Sequence, residues 1–283
     1  MSATVGHRRA AWCLSALGVA LGACSAEPGT EPAPEPGDAT VVVEVVDGDT
    51  LDVRLPDGST DRVRVLGVNA PEDGECFSTE AAAELERLAL GEEVVLVVDE
   101  TDRDQYDRLL RYVELAGDDV GAALVTGGFA VVRVSEPDVA RAADLRDREE
   151  EARGAQRGLW SPSACGPPSG QAGRLAIVGL RLDADGDDAK NLNDEWVEVQ
   201  NTGASAVLLT GWVVRDESSS HRFSFPDGFT LAPGATVRIR SGCGTASDSE
   251  LFWCTSGSAI WNNGGDTAFL LDPAGNIVDR VAR

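Results

Sequence analysis

The sequence predicts two successive domains, a small β-barrel braced by helices and then a β-sandwich. Between residues 40 and 165, alternating segments are interrupted by runs with helical spacing, an order that favours an α+β unit. After a Pro-, Gly- and Ser-rich linker at 166–172, residues 173–283 alternate between turns without a convincing helix. This second pattern is typical of an all-β sandwich.

The first 24 residues have the pattern of a lipoprotein signal. Arg8 and Arg9 precede an apolar run that is too short to span a membrane comfortably. The run ends in LGAC, which resembles a bacterial lipobox, so Cys24 is expected to be lipidated; ordinary secretion is the alternative. The Pro- and Glu-rich residues 25–39 are expected to form a tether, because they cannot bury a face. We therefore expect the protein on the extracellular face of the cell membrane, held by the lipid anchor or released from it.

The first domain, residues 40–165, is predicted from strands and helices in alternation. Residues 40–55 and 61–68 alternate as strands on either side of the turn PDGS. STEAAAELERLALG predicts a helix capped by Ser78 and ended by Gly91. Two more strands, EEVVLVVDE and RLLRYVEL, precede a short helix, a glycine break and a strand in DVGAALVTGGFAVVRV. A charged helix with a solvated face follows and closes at Trp160.

Three polar patches of this domain contain candidate functional residues. They are DGDT with Asp47 and Asp49, RVRVLGVNAPE with Arg64, Asn69, Ala70 and Glu72, and DQYDRLLRYV with Tyr106 and Arg108. The formal net charge of -24 argues against non-specific nucleic-acid binding by a broadly basic surface. A phosphate ligand would therefore depend on a metal ion and on two arginines.

In this order and spacing before GLW, the patches closely resemble the staphylococcal nuclease (thermonuclease) family over about residues 40–165. The resemblance implies a five-stranded OB-fold barrel with three helices that cleaves DNA and RNA phosphodiesters with the help of Ca²⁺. It implies Asp49 as a calcium ligand, Asp47 in the outer shell, Asn69 in the place of a second aspartate ligand, and the carbonyl of Ala70 as a donor. Calcium prefers such hard oxygen ligands.

The same resemblance assigns roles to the remaining candidates. Glu72 matches the proposed general base, which can orient or deprotonate a water molecule, and Tyr106 is expected to contact the substrate. Arg64 and Arg108 match the arginines that grip the scissile phosphate, where planar guanidinium forks stabilise developing charge. The chain also departs from the family. Asn69 is expected to weaken calcium binding, and Asp107, where the family has glycine, is expected to pair with Arg108 and compete with phosphate.

The second domain resembles the lamin-tail domain family over about residues 173–282, because NLNDEWVEVQNTG, GWVVRD, LAPG and WNNGGD occur in order. The resemblance implies an immunoglobulin-like β-sandwich with a binding or positioning role and an unassigned ligand. Trp196, Trp212 and Trp261 are expected in its core. The acidic segment DADGDD, residues 183–188, is either a turn or a structural calcium site.

Cysteine usage agrees with export to an oxidising compartment. After removal of the signal and lipidation of Cys24, four cysteines remain: Cys76, Cys165, Cys243 and Cys254. Three pairings are open, and the clustering favours Cys76–Cys165 and Cys243–Cys254, with free buried thiols as the alternative.

These observations favour a monomeric, membrane-anchored, extracellular calcium-dependent nuclease acting on DNA and RNA. The first alternative is a non-catalytic surface protein that binds nucleic acid or protein and has a degenerate nuclease barrel, which Asn69 and Asp107 would favour. The second alternative is a purely structural envelope protein.

Overall fold

The computed structural model describes residues 39–283 except 185, 187, 219, 220 and 255–258. The predicted signal, Cys24 and almost all of the tether lie outside the described residues, and so do Asp185 and Asp187 of the acidic segment. Within the part of the chain that is described, every helix is too short or too polar to cross a membrane.

The first domain contains eight strands and three α-helices. In chain order they are β1 (Thr40–Val45), β2 (Thr50–Arg54), β3 (Thr60–Val65), β4 (Val68–Asn69), α1 (Ser78–Ala89), β5 (Glu93–Val97), β6 (Leu109–Leu115), β7 (Asp118–Asp119), α2 (Val120–Gly127), β8 (Val131–Val132) and α3 (Ala142–Gly154). The strands pair in the order β3-β2-β1-β5-β6, and a parallel pairing of β3 with β6 closes them into a five-stranded barrel. The predicted OB-fold barrel with three helices is confirmed.

Alternation along the barrel strands places their apolar side chains inside. Val53 and Val63 are fully buried, whereas Asp52 and Arg62 form an ion pair on the outer face. Residues 40–55 were expected to be one strand, but the chain reverses between β1 and β2. A local hydrogen bond produces this reversal: Oδ1 of Asp47 accepts the N–H of Asp49 at 2.9 Å and closes an Asx-type turn.

The expected capping of α1 by Ser78 is wrong. Ser78 is the first helical residue, and the cap position belongs to Phe77, which has φ 72° and donates no side-chain cap. The helix does end where Gly91 was predicted to stop it, and Gly91 has φ 82°.

The second domain is a sandwich of two four-stranded sheets, as an immunoglobulin-like fold requires. Its elements are β9 (Leu175–Arg181), the short helix α4 (Asp188–Asn191), β10 (Trp196–Asn201), β11 (Val207–Leu208), β12 (Val213–Arg215), β13 (Arg222–Ser224), β14 (Thr230–Leu231), β15 (Thr236–Arg240), β16 (Glu250–Phe252), β17 (Thr267–Leu271) and β18 (Ile277–Ala282). The sheets have the orders β16-β15-β10-β9 and β13-β12-β17-β18. Trp212 and Trp261 are buried in the core as predicted, while Trp196 is half-buried beneath the guanidinium of Arg238.

The barrel and the sandwich share a packed interface. Leu159 and Trp160 at the end of the first domain pack in one apolar cluster with Phe269 and Leu271 of β17. The charged helix α3 also contributes, because Glu149 is 1% exposed and forms an ion pair with Arg280 of β18. The expectation that the charged residues of α3 form a solvated face is therefore wrong at Glu149, which reaches into the interface.

Both predicted disulfides are present. Cys76 pairs with Cys165, and Cys243 pairs with Cys254. The first bond closes a separation of 89 residues and ties the loop before α1 to the chain that leads into the sandwich. Next to it, the N–H of Cys165 donates to Oδ1 of Asn276 at 2.8 Å, so this bond lies beside the second domain.

Candidate active site

The turn between β1 and β2 brings Asp49 against the loop after β4. A Cβ atom on Gly48 would lie 2.6 Å from Cβ of Ala70 and 2.7 Å from Cβ of Ala81, so only glycine allows this approach. Ala70 then donates its N–H to Oδ2 of Asp49 at 2.7 Å. The spacing in DGDT thus fixes a buried carboxylate beside the backbone of Ala70.

Arg64, on β3, is bound on almost every side. Its Nε lies 3.0 Å from Oδ1 of Asp49, and its Nη2 donates to Oδ1 of Asn69 at 3.0 Å. Its Nη1 donates to the carbonyls of Val65 and Val68 at 2.6 and 2.8 Å. A guanidinium has five N–H donors; three of them form these hydrogen bonds, and the Nε–H faces Asp49 in the ion pair. Among the described residues, Arg64 therefore has one N–H left for a phosphate oxygen, and its side chain is buried.

Glu72 lies on the exposed loop that follows Asn69. Partial burial, followed by the charges of Asp49 and Asp47, raises the pKa of the Glu72 carboxyl. Burial also raises the pKa of Asp49, with Arg64 opposing that shift and Asp47 adding to it. The three carboxyl groups therefore sense one another as like charges, and a cation placed among them would relieve that repulsion.

The chemistry of this donor set fits a hard cation such as calcium. Among the described residues, no three His, Cys, Asp or Glu side chains meet closely enough to form a metal site by themselves. Calcium sites commonly complete their coordination with carbonyl oxygens and water. Asp49 and Asp47 would hold such an ion together with the carbonyl of Ala70. Asn69 remains a predicted ligand, although its Oδ1 already accepts a hydrogen bond from Arg64.

Arg108 is held differently from Arg64. Its Nε donates to Oδ2 of Asp104 at 2.7 Å, and no other hydrogen bond from its guanidinium is found among the described residues. Its Cζ lies 5.5 Å from the ring centre of the exposed Tyr106. Both Nη groups of Arg108 are therefore available to a phosphate.

The expected pairing of Asp107 with Arg108 is wrong. Arg108 pairs with Asp104 instead. Oδ1 of Asp104 also accepts the main-chain N–H of Arg108 at 3.0 Å, which fixes the Asp104 carboxylate beside the Arg108 side chain. Asp107 has φ 67°, and its Oδ1 lies 3.7 Å from Nη1 of Arg103. Asp107 thus takes the glycine-like backbone of the family position without neutralising Arg108.

A cavity of about 260 Å³ lies on this side of the barrel. Four arginines line it: Arg64, Arg103, Arg108 and Arg133. Two arginines were expected from the motifs, so the cavity holds more guanidinium groups than predicted, although Asp104, Glu136 and Asp138 line it as well. Arg103 stands in the loop before β6 and Arg133 just after β8, and only the closure of the barrel brings them together. Neither belongs to a recognisable motif, and no local signal in the sequence identifies them.

The sandwich contacts two residues of this side of the barrel, Arg133 and Asn69, through Glu217, which sequence reasoning missed. Its Oε2 lies 3.8 Å from Nε of Arg133, and its main-chain carbonyl accepts Nδ2 of Asn69 at 2.7 Å. Glu217 follows β12 and is 6% exposed. It lies 148 residues after Asn69 in the chain, a distance at which no sequence pattern links the two positions.

Buried acids at this contact predict a pH-dependent stability. Burial, with help from Asp266, raises the pKa of Glu217 to about 8, against opposing effects from Thr267, Arg133 and Arg280. The pKa of Asp266 rises to about 6, chiefly through burial. Carboxyls of the unfolded chain titrate near pH 4. Between about pH 4 and 8 the native state binds more protons, so the free energy of unfolding should fall as pH rises.

Urea unfolding at several pH values measures this effect, and Glu217→Gln should flatten the decline above about pH 6 because one proton-binding group is gone. Glu198→Gln is the matched control and should keep the wild-type slope, because Glu198 lies on the face of β10 opposite the buried Val197 and Val199. Equal slopes for wild type and Glu217→Gln would contradict the prediction.

A five-stranded OB-fold barrel with three helices, and with carboxylates and arginines at these motif positions, is the arrangement of a nuclease-like domain. The chain belongs to the staphylococcal nuclease family and continues into a lamin tail domain. The family model described as a staphylococcal nuclease homologue matches residues 62–162, and the Lamin Tail Domain model matches residues 168–283.

Individual relatives agree with this assignment. The chain is similar to Protein ParB of Escherichia coli, 38% identical over 141 residues that cover 44% of this chain and 75% of that protein. It is similar to the Micrococcal nuclease of Shigella flexneri, 35% identical over 138 residues that cover 44% of this chain and 76% of the relative. It also resembles the Thermonuclease of Staphylococcus hyicus, 27% identical over 126 residues that cover 42% of this chain and 74% of the relative.

Proposed function

We propose that this protein is a calcium-dependent nuclease that hydrolyses phosphodiester bonds of DNA and RNA while anchored at the extracellular face of the membrane. The observation that supports it best is the placement of Asp49 and Glu72 on one side of the site, with Arg64 and Arg108 on the cavity beside it. Relatives named as nucleases cover the same domain.

Phosphodiester hydrolysis needs a water nucleophile, a place for its proton and a means to stabilise charge on the phosphoryl oxygens. Glu72 has the exposure to reach a water molecule, and its raised pKa makes it a better proton acceptor than an ordinary glutamate. When bound, calcium would polarise the phosphoryl oxygen and offset its charge. As the oxygen of water bonds to phosphorus, one P–O ester bond breaks and the leaving oxygen takes up a proton.

Arg64 and Arg108, which match the phosphate-binding arginines of the family, would bind phosphate in different ways. Arg108 offers both Nη groups in a planar fork, which suits two oxygens of one phosphate. Arg64 offers its single remaining N–H and stays fixed by Asp49 and Asn69. Arg103 and Arg133 add positive charge to the wall of the cavity. In a chain of net charge -24, a phosphate would depend on these guanidinium groups together with the metal ion, and binding should weaken with added salt.

Hydrolysis of plasmid DNA and of RNA, with calcium and with chelator, tests the proposal directly. Calcium should switch on both reactions and raise the thermal midpoint of the chain, since a ligand at 100 times its Kd stabilises by about 2.7 kcal/mol. The proposal fails if neither nucleic acid is cut with calcium present. If chelator changes neither the rate of hydrolysis nor the thermal midpoint, the calcium dependence in the proposal is wrong.

A non-catalytic nucleic-acid-binding or protein-binding role is the second candidate, and one observation favours it. Arg64 is 8% exposed, which is low for a side chain that must meet a substrate. Binding of DNA without cleavage, unchanged by calcium, would support this second role. For the anchor, replacement of Cys24 by Ala should move the protein from the membrane fraction to the medium, and an unchanged membrane fraction would contradict lipidation at Cys24.

A further inference from the structure

The segment after β12 crosses from the sandwich to the nuclease site. There the main-chain carbonyl of Glu217 accepts the Nδ2 donor of Asn69 at 2.7 Å. Asn69 and Glu217 are each 6% exposed, so water does not compete with this hydrogen bond. The contact joins a residue next to the catalytic loop directly to the second domain.

Asn69 uses both ends of its amide. Its Oδ1 accepts from Nη2 of Arg64 at 3.0 Å while its Nδ2 donates to Glu217. An aspartate at this position would still accept from Arg64, but it would turn an acceptor oxygen toward the carbonyl of Glu217. Two acceptors buried at hydrogen-bond distance repel each other, so the sandwich gives a physical reason for asparagine where the family has aspartate.

Glu217 is itself fixed by the sandwich. Its Oε1 accepts the hydroxyl of Thr267, on β17, at 2.7 Å. Its Oε2 faces Arg133, on the wall of the arginine-lined cavity, at 3.8 Å. Thr267 is 2% exposed, and its side-chain hydroxyl has this one hydrogen bond among the described residues. A chain of contacts thus runs from β17 through Glu217 to residues on both sides of the site.

We propose that Glu217 is a positioning residue of the nuclease: its main chain orients Asn69, and through it Arg64, while its side chain, held by Thr267, lies against Arg133. The lamin tail domain is then a structural part of the nuclease site and not a separate module joined by a linker. This inference rests on the proposed nuclease function. It assigns Asn69 the task of connecting Arg64 to the second domain.

Asn69→Asp in the full chain tests the contact without an activity assay. The thermal midpoint should fall by about 4 °C or more, because a buried acceptor pair replaces a hydrogen bond. The hydrolysis rate should fall as well. If Asn69 were merely a weakened metal ligand, the aspartate would instead strengthen calcium binding, raise the rate and leave the midpoint in chelator unchanged. That result would overturn the proposal.

Two variants of Thr267 test the positioning role, because one is expected to lower the rate of hydrolysis and the other to lower mainly the stability. Thr267→Val keeps the buried volume and removes the hydroxyl that holds Glu217, so kcat should fall at least about fivefold with a much smaller change in KM. Thr267→Ser keeps the hydroxyl and loses a buried methyl, so it should be the less stable variant and yet retain wild-type kcat.

Leu271→Val, in the apolar interface cluster on the same strand, is the matched control and should lower the midpoint without changing kcat. Wild-type kcat in Thr267→Val, or losses of rate that simply follow stability across the three variants, would overturn the inference. Wild-type hydrolysis in the same assay tests the proposed function separately. If wild type is inactive, the nuclease proposal fails, whereas an active wild type with an unaffected Thr267→Val variant removes only the role of Glu217.

Discussion

Glu72→Gln should lower the rate of calcium-dependent DNA hydrolysis by about 10²- to 10⁴-fold, the usual contribution of a positioned general base. Glutamine keeps the size of the side chain and its exposed place on the loop, but it accepts no proton from water. The raised pKa of Glu72 also predicts that the wild-type rate increases with pH until this carboxyl is ionised. In the variant this rising limb should disappear from the residual rate.

Asp73→Asn is the matched control for Glu72→Gln. Asp73 is the exposed neighbour on the same loop and lines a different pocket, so its loss should leave the rate within about twofold. A calcium-induced rise in midpoint should persist in both variants and show that the barrel is folded. If Glu72→Gln hydrolyses DNA as fast as wild type, Glu72 is not the base. If wild type and Glu72→Gln are both inactive, the interpretation of the barrel as a non-catalytic domain is the better one.

Arg108→Lys should lower the hydrolysis rate by about 10²- to 10³-fold although it preserves the charge, a loss comparable to removing one donor to a developing oxyanion. Arg108 donates its Nε to Asp104 and still presents both Nη groups. A lysine has one ammonium, which cannot bind Asp104 and span two phosphate oxygens at the same time. Because Arg64 has a single N–H left, it cannot compensate.

The control for Arg108→Lys is Arg87→Lys. Arg87 is an exposed arginine on α1 that is likewise paired with a carboxylate, Glu84. That variant should keep wild-type rate and affinity. Separate measurement of KM and kcat refines the result. Weaker binding of the substrate in the ground state raises KM, whereas a lost contact in the transition state lowers kcat. An Arg108→Lys rate equal to that of wild type would assign the phosphate to the other arginines of the cavity.

Much of the barrel was predictable because its signals are local. Alternation gave the barrel strands, and glycine marked the end of α1. The turn at DGDT with its Asp47–Asp49 hydrogen bond is known only from the structure. The predicted strand over residues 40–55 was too long, because alternation does not reveal where a chain reverses. The Ser78 cap failed for a similar reason, since one residue of uncertainty at a helix start changes which side chain can cap it.

The amino-acid sequence by itself determined the two-domain order and favoured one pairing of the cysteines, and its resemblance to the staphylococcal nuclease family singled out Asp49, Glu72, Arg64 and Arg108. Strand alternation, turn residues and motif spacing are carried by neighbours in the chain. Only the tertiary structure decided that Arg103 and Arg133 join the cavity and that Glu217 of the sandwich binds Asn69. These contacts depend on how the barrel closes and on how the second domain packs against it. Asn69 and Glu217 are 148 positions apart, so no local sequence pattern predicts the hydrogen bond between them.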